Sequence, residues 1–540
     1  MYSDFRALDP SKYLDKVSPG RTATVVVAAA NASLQSRAQA DYVCDGVNDH
    51  VEIQAAIDAL PATGGEVRLL DGTYNIEVSL VLDSYQTLRG CGRSTILTTT
   101  TAALDIITAT GSSGNEKVGI LIADLCVDGS AGGAANGTGI VLTYVDYSKV
   151  RDVWCQNMGV DGIDLYYCDF NEITGVTFQG ISIDCIYPDT SNYNTISGNN
   201  CSHSGTGIDL YESNSNIISN NNCQGNSTWG IYLSASSNNN IVSNNNCQWN
   251  GHHGISLESS NSNIISDNNC RGNSQMQDNN RDNIYINTSD YNLIANNLCR
   301  APTIGTTLTV GEPIGETEIA VTNVAGFEVG MGVVIDLGGV NEEYHRISAI
   351  SGGAPGVIII DAGLTNAQGA GETIDVPEAR YGINIPVAAS GNNVVKGNDL
   401  HDGGKTAALN DAGTNTIFDQ VMHSIALNLT GGATDIEVFF AKCPCILAGY
   451  SVLYSIATGG GAGVNIRVGR YQDGVALDDD YFDVSVSELN EAKGYSKHFD
   501  SADLTQTVIA TGDTITVGTA GGKVDTGEII VVLEIAEMAS

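Results

Sequence analysis

Four consecutive segments of this chain repeat one pattern, and that repeat limits the fold more than any other feature. They read GIDLYESNSNIISNNNCQGNSTW from Gly207, GIYLSASSNNNIVSNNNCQWNGHH from Gly230, GISLESSNSNIISDNNCRGNSQ from Gly254 and NIYINTSDYNLIANNLCRAP from Asn283. Their starts lie 23, 24 and 29 residues apart. Weaker copies open at Gly139, Gly162, around Ile183 and at Gly382. Each copy holds two or three short alternating apolar runs, such as Ile208/Leu210 and Ile217/Ile218, and no run is long enough for a helix. One copy cannot bury its own apolar face. Copies stacked about 4.8 Å apart share a continuous core. The expected fold is therefore all-β, a right-handed parallel β-helix over roughly Ala103 to His401. The Asn clusters suit the turns, because Asn tolerates left-handed backbone and stacked amides bond from rung to rung. Cys201, Cys223, Cys247, Cys270 and Cys299 recur in phase after those clusters. They are read as a column of buried thiols packing like small apolar groups. A metal or disulfide ladder is the alternative.

The flanks divide the rest. Residues 1–40 are expected to be an N-terminal arm, and 41–102 a helix-capped opening to the solenoid. In Asn48–Leu60 an Asn48 or Asp49 cap precedes the apolar positions Val51, Ile57 and Leu60. Repeats fill 103–300, an inserted β module 301–381, a last rung 382–411 and a C-terminal β-sandwich of jelly-roll type 420–540. The module is read from strands at Glu318–Val321, Gly332–Asp336, His345–Ile347 and Val357–Ile360. The sandwich is read from alternating strands between Gly-rich turns, at Ser424–Leu429, Asp435–Phe440, Gly449–Tyr454, Val464–Val468, Thr514–Val517 and Ile529–Ile535. The helix, the Gly-Gly turn and the strand ending Gly72-Thr73-Tyr74 resemble the N-terminal cap of pectate-lyase-like β-helix proteins. Phe327–Gly330 through Arg346-Ile347 resembles a compact β module of viral tail proteins. Cys445–Tyr450, Gly512–Ile515 and Glu528–Glu534 resemble C-terminal domains of tailed-virus fibre and capsid-decoration proteins.

Composition narrows the partners. With 62 Gly, 10 Pro and 42% apolar residues, the chain reads as ordered and rich in tight turns. A net charge of -38 excludes nucleic acid and anionic membranes as main partners. No stretch approaches the roughly 18 apolar residues that would insert in a membrane. Met1–Arg6 shows no basic segment leading into an apolar run, so the chain is read as made without an export signal, which agrees with free thiols. An acidic polysaccharide would need a local basic patch or a bridging metal on such a surface.

The outward position of the first strand in each copy is expected to form a column: Val141, Asp164, Asp184, Asp209, Tyr232, Ser256, Tyr285. Aspartates on consecutive rungs would lie about 5 Å apart and raise one another's pKa. Such acids suit glycoside hydrolysis. They equally suit a calcium ion held by Asp164, Asp184 and Asp209, or a plain solvated acidic face. Tyr166, Tyr187, Tyr211, Tyr232 and Glu212 lie beside the column as candidate sugar-binding groups. Asn250–Gly254, with His252 and His253, reads as a surface turn.

Gly159–Asp164 with its Asp161, Ile183–Ile186 and Gly205–Ile208 follow the order of the polygalacturonase motifs and resemble them. That family carries Asn-Thr-Asp-Gly-Ile-Asp, Asp-Asp-Cys-Ile and Gly-His-Gly-Ile. Here Gly159, Val160, Ile183 and Thr206 replace family residues, and the Arg-Ile-Lys motif is absent at the proper distance. The resemblance implies catalytic roles for Asp161, Asp164, Asp184 and Asp209.

The viral resemblances imply a virion surface protein, a tailspike, fibre or capsid decoration. It would be a homotrimer that contacts other virion proteins and adheres to host-surface polysaccharide, with depolymerisation as a further activity. A secreted, extracellular carbohydrate-active enzyme (hydrolase, lyase or epimerase) and a cell-surface adhesin are the rival readings.

Overall fold

The computed structural model describes residues 23–129, 137–276, 280–300, 304–400 and 403–418, and beyond 418 the strands alone. The chain divides into two units, residues 1–393 with 399–414, and residues 394–398 with 415–540. Residues 1–22 of the expected arm lie outside the described residues. From Ala23 the chain is already structured, because Ala23–Ala28 pairs in parallel with Gly65–Leu69.

The first unit is a parallel β-helix with three ladders. One runs from Ala23–Ala28 through Gly65–Leu69, Gln86–Arg89 and Leu121–Ala123 up to Leu293–Ala295. A second starts at Gly72–Asn75 and reaches Thr177–Gln179. It continues as single parallel bridges through Asn200, Asn222, Asn246, Asn269 and Leu298. The third, which carries the acidic residues, runs from Leu80–Val81 through Asp184–Asp189 and Thr206–Tyr211 to Tyr381–Ile385 and Ala407–Asp411.

Period-two alternation explains the burial. In Ile163–Tyr166, Ile163 and Leu165 are inside while Asp164 and Tyr166 face out. Ile140, Ile163, Ile186, Ile208, Ile231, Ile255 and Ile284 stack in register and are fully buried. Each contributes about 1.5–3 kcal/mol of burial. The five in-phase cysteines are free thiols with no exposed surface, as expected for apolar filling. Desolvation pushes Cys201, Cys223, Cys247 and Cys270 well above the usual thiol range, so they stay protonated.

The Asn triplets do three different jobs. The first Asn or Asp, at 220, 244, 267 and 296, takes φ of 56° to 58° and turns the corner. The second forms an internal ladder. Asn221 N donates to Asn245 Oδ1 at 2.9 Å, Asn245 N to Asn268 Oδ1 at 2.9 Å, and each Nδ2 reaches a carbonyl of an earlier rung. The third stacks amides at the next turn, where Asn246 Nδ2 donates to Asn222 Oδ1 and Asn269 Nδ2 to Asn246 Oδ1. Another buried ladder, through Asn171, Asn194, Asn216, Asn240, Asn263 and Asn292, satisfies a different corner in the same way.

His50–Asp58 is the expected helix, and it buries Ile53, Ala56 and Ile57. Val51 was expected inside but is mostly exposed, because it falls on the solvent side of the first turn. Asp49 makes no side-chain cap bond. Its carboxylate instead accepts from Gly46 N and Asn75 N, tying the helix start to the first rungs.

The inserted module is antiparallel, with strands Gly305–Thr307, Glu318–Val321, Gly332–Ile335, Glu343–Gly352, Gly356–Ile360 and Thr373–Asp375. Its apolar core includes Trp249 of the solenoid. Arg346 donates to the carbonyls of Gly225 and Asn226, which fixes the module on two turns of the solenoid.

In the second unit, Val394–Lys396 pairs in parallel with Ile417–Phe418. Two antiparallel sheets follow, one containing Met422–Leu429, Cys445–Tyr454, Ser496–Asp500 and Ile529–Glu537, the other Asp435–Phe440, Asn465–Gln472, Val475–Val484 and Thr514–Ala520. The chain passes back and forth between the sheets, the wiring of a sandwich.

Asn245→Ala would strip partners from Asn221 N, Asn221 Nδ2 and Ile218 O. Leaving buried polar groups unpaired costs about 1–3 kcal/mol each. A loss of about 3 kcal/mol or more is expected in urea unfolding, and an unchanged midpoint would contradict the ladder's role.

Candidate functional site

The register of the third ladder decides which side chains share its outward face. Thr108, Val141, Asp164 and Tyr187 are in line. The pairing Ile186↔Ile208 then sets Tyr187 beside Asp209, which leads to Tyr232, Ser256 and Tyr285. The expected column is thus corrected at one rung, where Tyr187 and not Asp184 stands between Asp164 and Asp209. The rung begins at Ile186, which is buried, and not at Ile183, which is 49% exposed. The inward apolar position sets the register.

Asp184 lies three residues earlier, beside Asp161. Gly162 N donates to Asp184 O, and Asp184 N donates to Asp161 Oδ1 at 2.9 Å. The acids therefore form two neighbouring columns, Asp161–Asp184 and Asp164–Tyr187–Asp209. Both members of the first are buried.

Burial governs the electrostatics of all four. Desolvation, with the charges of Asp184, Asp164 and Asp105, pushes Asp161 up to about 7. Desolvation with Asp189, Asp105 and Asp184 pushes Asp164 up to about 7. Desolvation with Asp184, Asp161 and Glu258 pushes Asp209 up to about 8. Asp184 is raised by desolvation and partly held down by a hydrogen bond from Thr206. These four carboxyls are coupled, and near neutral pH the cluster holds protons that isolated aspartates would release. Asp164 Oδ1 and Asp209 Oδ1 are buried without a hydrogen-bond partner.

The tyrosines divide by position. Tyr166 and Tyr211 flank Asp189 one step along the strands and are exposed. Tyr187 is held protonated, first by desolvation and then by Asp189, Asp209 and Asp164. Tyr232 donates its hydroxyl to Glu258 at 2.8 Å. Glu212 follows the end of its strand at φ 47° and leaves the face at the corner.

Sequence reasoning missed the far end of the face. His253 is buried, correcting its reading as a surface residue. Its Nδ1 accepts from Asp282 N at 2.9 Å, and its ring stacks on Tyr285 at 4.5 Å. Asp282 is fully buried and takes Arg380 Nε, Arg380 Nη2 and Asn384 Nδ2. The available signal was phase, since Asp282 precedes Tyr285 by three residues as Asp161 precedes Asp164.

The calcium expectation does not fit this geometry. Asp164 and Asp209 are two rungs apart, about 10 Å, while calcium–oxygen distances are about 2.3–2.6 Å. Among the described residues, only Cys44, Asp49 and Glu52 bring three ligand atoms within 4.8 Å of one another.

A family model described as periplasmic copper-binding protein (NosD) matches residues 94–247. Copper favours thiolate, thioether or imidazole donors. The in-phase cysteines of that stretch are sealed inside and held as thiols, so they do not offer copper a thiolate. No curated protein matches the chain. Among solved structures, it is similar to the A-module of mannuronan C-5 epimerase AlgE4 from Azotobacter vinelandii, with 16% identity, TM-score 0.45, and coverage of 69% of this chain and 96% of that one. It is similar to the Dettilon tailspike protein (gp208), with 12% identity, TM-score 0.41 and 94% of both chains covered. It is also similar to the enzymatically active domain of bacteriophage CBA120 tailspike protein 2, with 12% identity, TM-score 0.43, and coverage of 91% of this chain and 80% of that one. The ladders described above give this chain a parallel β-helix architecture of their own accord.

Asp209 tests the electrostatics. A carboxyl whose folded pKa is raised binds more protons folded than unfolded, so its cost to stability is absent at about pH 4 and grows as pH rises through about 8. Asp209→Asn should therefore raise Tm at pH 9 and leave it nearly unchanged at pH 4. Equal shifts at both pH values would rule the raised pKa out.

Proposed function

We propose that the outward face of the third ladder binds and cleaves a polysaccharide, and that the chain is a virion surface protein of the tailspike or fibre kind. The observation that carries the catalytic part is the placing of Asp164 and Asp209, half-buried, on the outward face beside the exposed Tyr166 and Tyr211, each with one carboxyl oxygen that no protein group claims. Burying four carboxyls with two oxygens unpaired costs stability, and such groups gather where chemistry uses them.

Asp209, whose carboxyl burial pushes up to about 8, is the proton donor to the glycosidic oxygen. Asp164 in its carboxylate form is the base that activates water. Their separation of two rungs, about 10 Å, is close to the wider, inverting spacing of roughly 6.5–9.5 Å. Tyr187 between them offers a phenolic hydrogen-bond donor. Asp161 and Asp184 are recessed, and Asp161 Oδ1 is already engaged by a backbone N–H. They shape the field without taking part directly. Tyr166 and Tyr211 present ring faces for sugars.

The virion role, the homotrimer, the other virion partners and the host glycan are supported by the resemblance of the C-terminal segments to tailed-virus fibre domains. The domain division 103–300, 301–381, 382–411 and 420–540 belongs to the same proposal.

A panel of bacterial surface polysaccharides tests the reading. Asp164→Asn and Asp209→Asn should each lower reducing-end release at least 100-fold, and NMR should show products of inverted anomeric configuration. Full activity in both variants would end the assignment. Light scattering should give about three times the 56.4 kDa chain mass, and a monomer would count against the fibre role.

A further inference from the structure

We infer that the turn leading into the helix His50–Asp58 is a zinc site, in which Cys44, Asp49 and Glu52 hold the ion and a water completes the tetrahedron. The Cys44 sulfur and one carboxylate oxygen from each acid lie within 4.8 Å of one another. The site shares no residue with the acidic columns of the third ladder and does not rest on the polysaccharide reading.

The fold itself brings the three donors together. Cys44 follows the strand Tyr42–Val43, and its N donates to Ala28 O at 2.9 Å. Asp49 stands at the helix start and Glu52 in the first turn. Cys44 is 1% exposed and Asp49 has no exposed surface. Glu52 is half-buried, yet its Oε2 is buried and has no hydrogen-bond partner. A carboxylate oxygen withdrawn from water with nothing to bond is costly, and a cation removes that cost. The Cys44 thiol points at Asp49 O from 3.9 Å, and that carbonyl already accepts from Ile53 N at 3.2 Å. The sulfur is therefore not committed elsewhere. Asp49 accepts one backbone N–H on each oxygen, from Gly46 and from Asn75, both at 2.8 Å. A carboxylate can take about four bonds, so each oxygen keeps a lone pair, and the two N–H groups orient it as supporting bonds orient a metal ligand.

The donor set selects the metal. Thiolate favours zinc and copper(I), carboxylate favours harder divalent ions, and zinc accepts both. Calcium asks for about six to eight oxygens and has no use for sulfur. Zinc bonds of about 2.3 Å to sulfur and about 2.0–2.2 Å to oxygen set ligand atoms about 3.5 Å apart. Rotation of the half-buried Glu52 side chain closes the remaining gap. As the zinc–sulfur bond forms, the Cys44 thiol gives its proton to solvent. The ion then joins the end of a strand to the first turn of the capping helix, and it stabilises the fold because the unfolded chain does not hold the three donors together.

Titration of the metal-stripped full chain with cadmium, followed by the ultraviolet charge-transfer band of a cadmium–thiolate bond, tests this. One equivalent should bind with the band, excess zinc should erase it, and zinc alone should raise Tm. Cys44→Ser should abolish the band, whereas Cys91→Ser, at an exposed thiol, should keep it. Glu52→Gln should weaken cadmium binding at least tenfold with an unchanged circular dichroism spectrum. No band in the wild type, a band that survives in Cys44→Ser or resists zinc, or unchanged affinity in Glu52→Gln would overturn the site. If Cys44→Ser does not fold, Glu52→Gln decides.

Discussion

The asparagine ladders are the interaction on which the rest of this molecule depends. A solenoid must turn its backbone at every corner, and each turn leaves peptide groups without strand partners inside the structure. An asparagine amide has the same donor and acceptor geometry as a peptide. Stacked in line, it carries the hydrogen-bond pattern of the strands through the corner, as from Asn221 to Asn245 to Asn268. Because each Asn both donates upward and accepts from below, a slip of one residue on any rung would leave several buried groups unpaired. The ladders therefore hold the register, and the register places every outward side chain.

That dependence explains what was legible in the sequence. The Asn and Cys phases announced the rungs directly, since both occupy positions that every rung must fill. The outward column was legible wherever the copies aligned, from Val141 to Asp164 and from Asp209 to Tyr285. It failed at Ile183–Asp184, where a local Ile-Asp pair imitates the start of a rung. The spacing of Ile163 to Ile186 equals that of Asn171 to Asn194, so corner phase was the better guide. Val51 failed for a related reason, because a helix of nine residues, about two and a half turns, gives too little periodicity to separate core from surface at its first turn. Arg380 was out of reach, since it joins Asp282 only after the inserted module closes a 98-residue separation.

The chain's overall acidity could have hidden its site. Among so many surface carboxylates, a few more would carry no information. What separates the buried Asp161 and Asp184 and the half-buried Asp164 and Asp209 is desolvation, because a carboxyl withdrawn from water without a cation must keep its proton or destabilise the fold. Elsewhere on the solenoid, acids sit in pairs such as Glu172 with Lys149, in the open, or, like the buried Asp49, with backbone N–H groups on both oxygens. A group of uncompensated buried acids survives only where the scaffold has stability to spare, and the stacked amides and isoleucines supply it.

The two faces of each strand thus answer to different constraints. Inward positions repeat because every rung solves the same packing problem, and their residues converge on Ile, Leu, Val and Cys. Outward positions on the third ladder have no such duty. Along one column they read Thr108, Val141, Asp164, Tyr187, Asp209, Tyr232, Ser256 and Tyr285, with no repetition of purpose. Where folding places no demand, Asp164 and Asp209 on either side of Tyr187, followed by Tyr232, Ser256 and Tyr285, are not dictated by packing. On the proposed function, a polysaccharide extended along the solenoid axis would meet those side chains in turn.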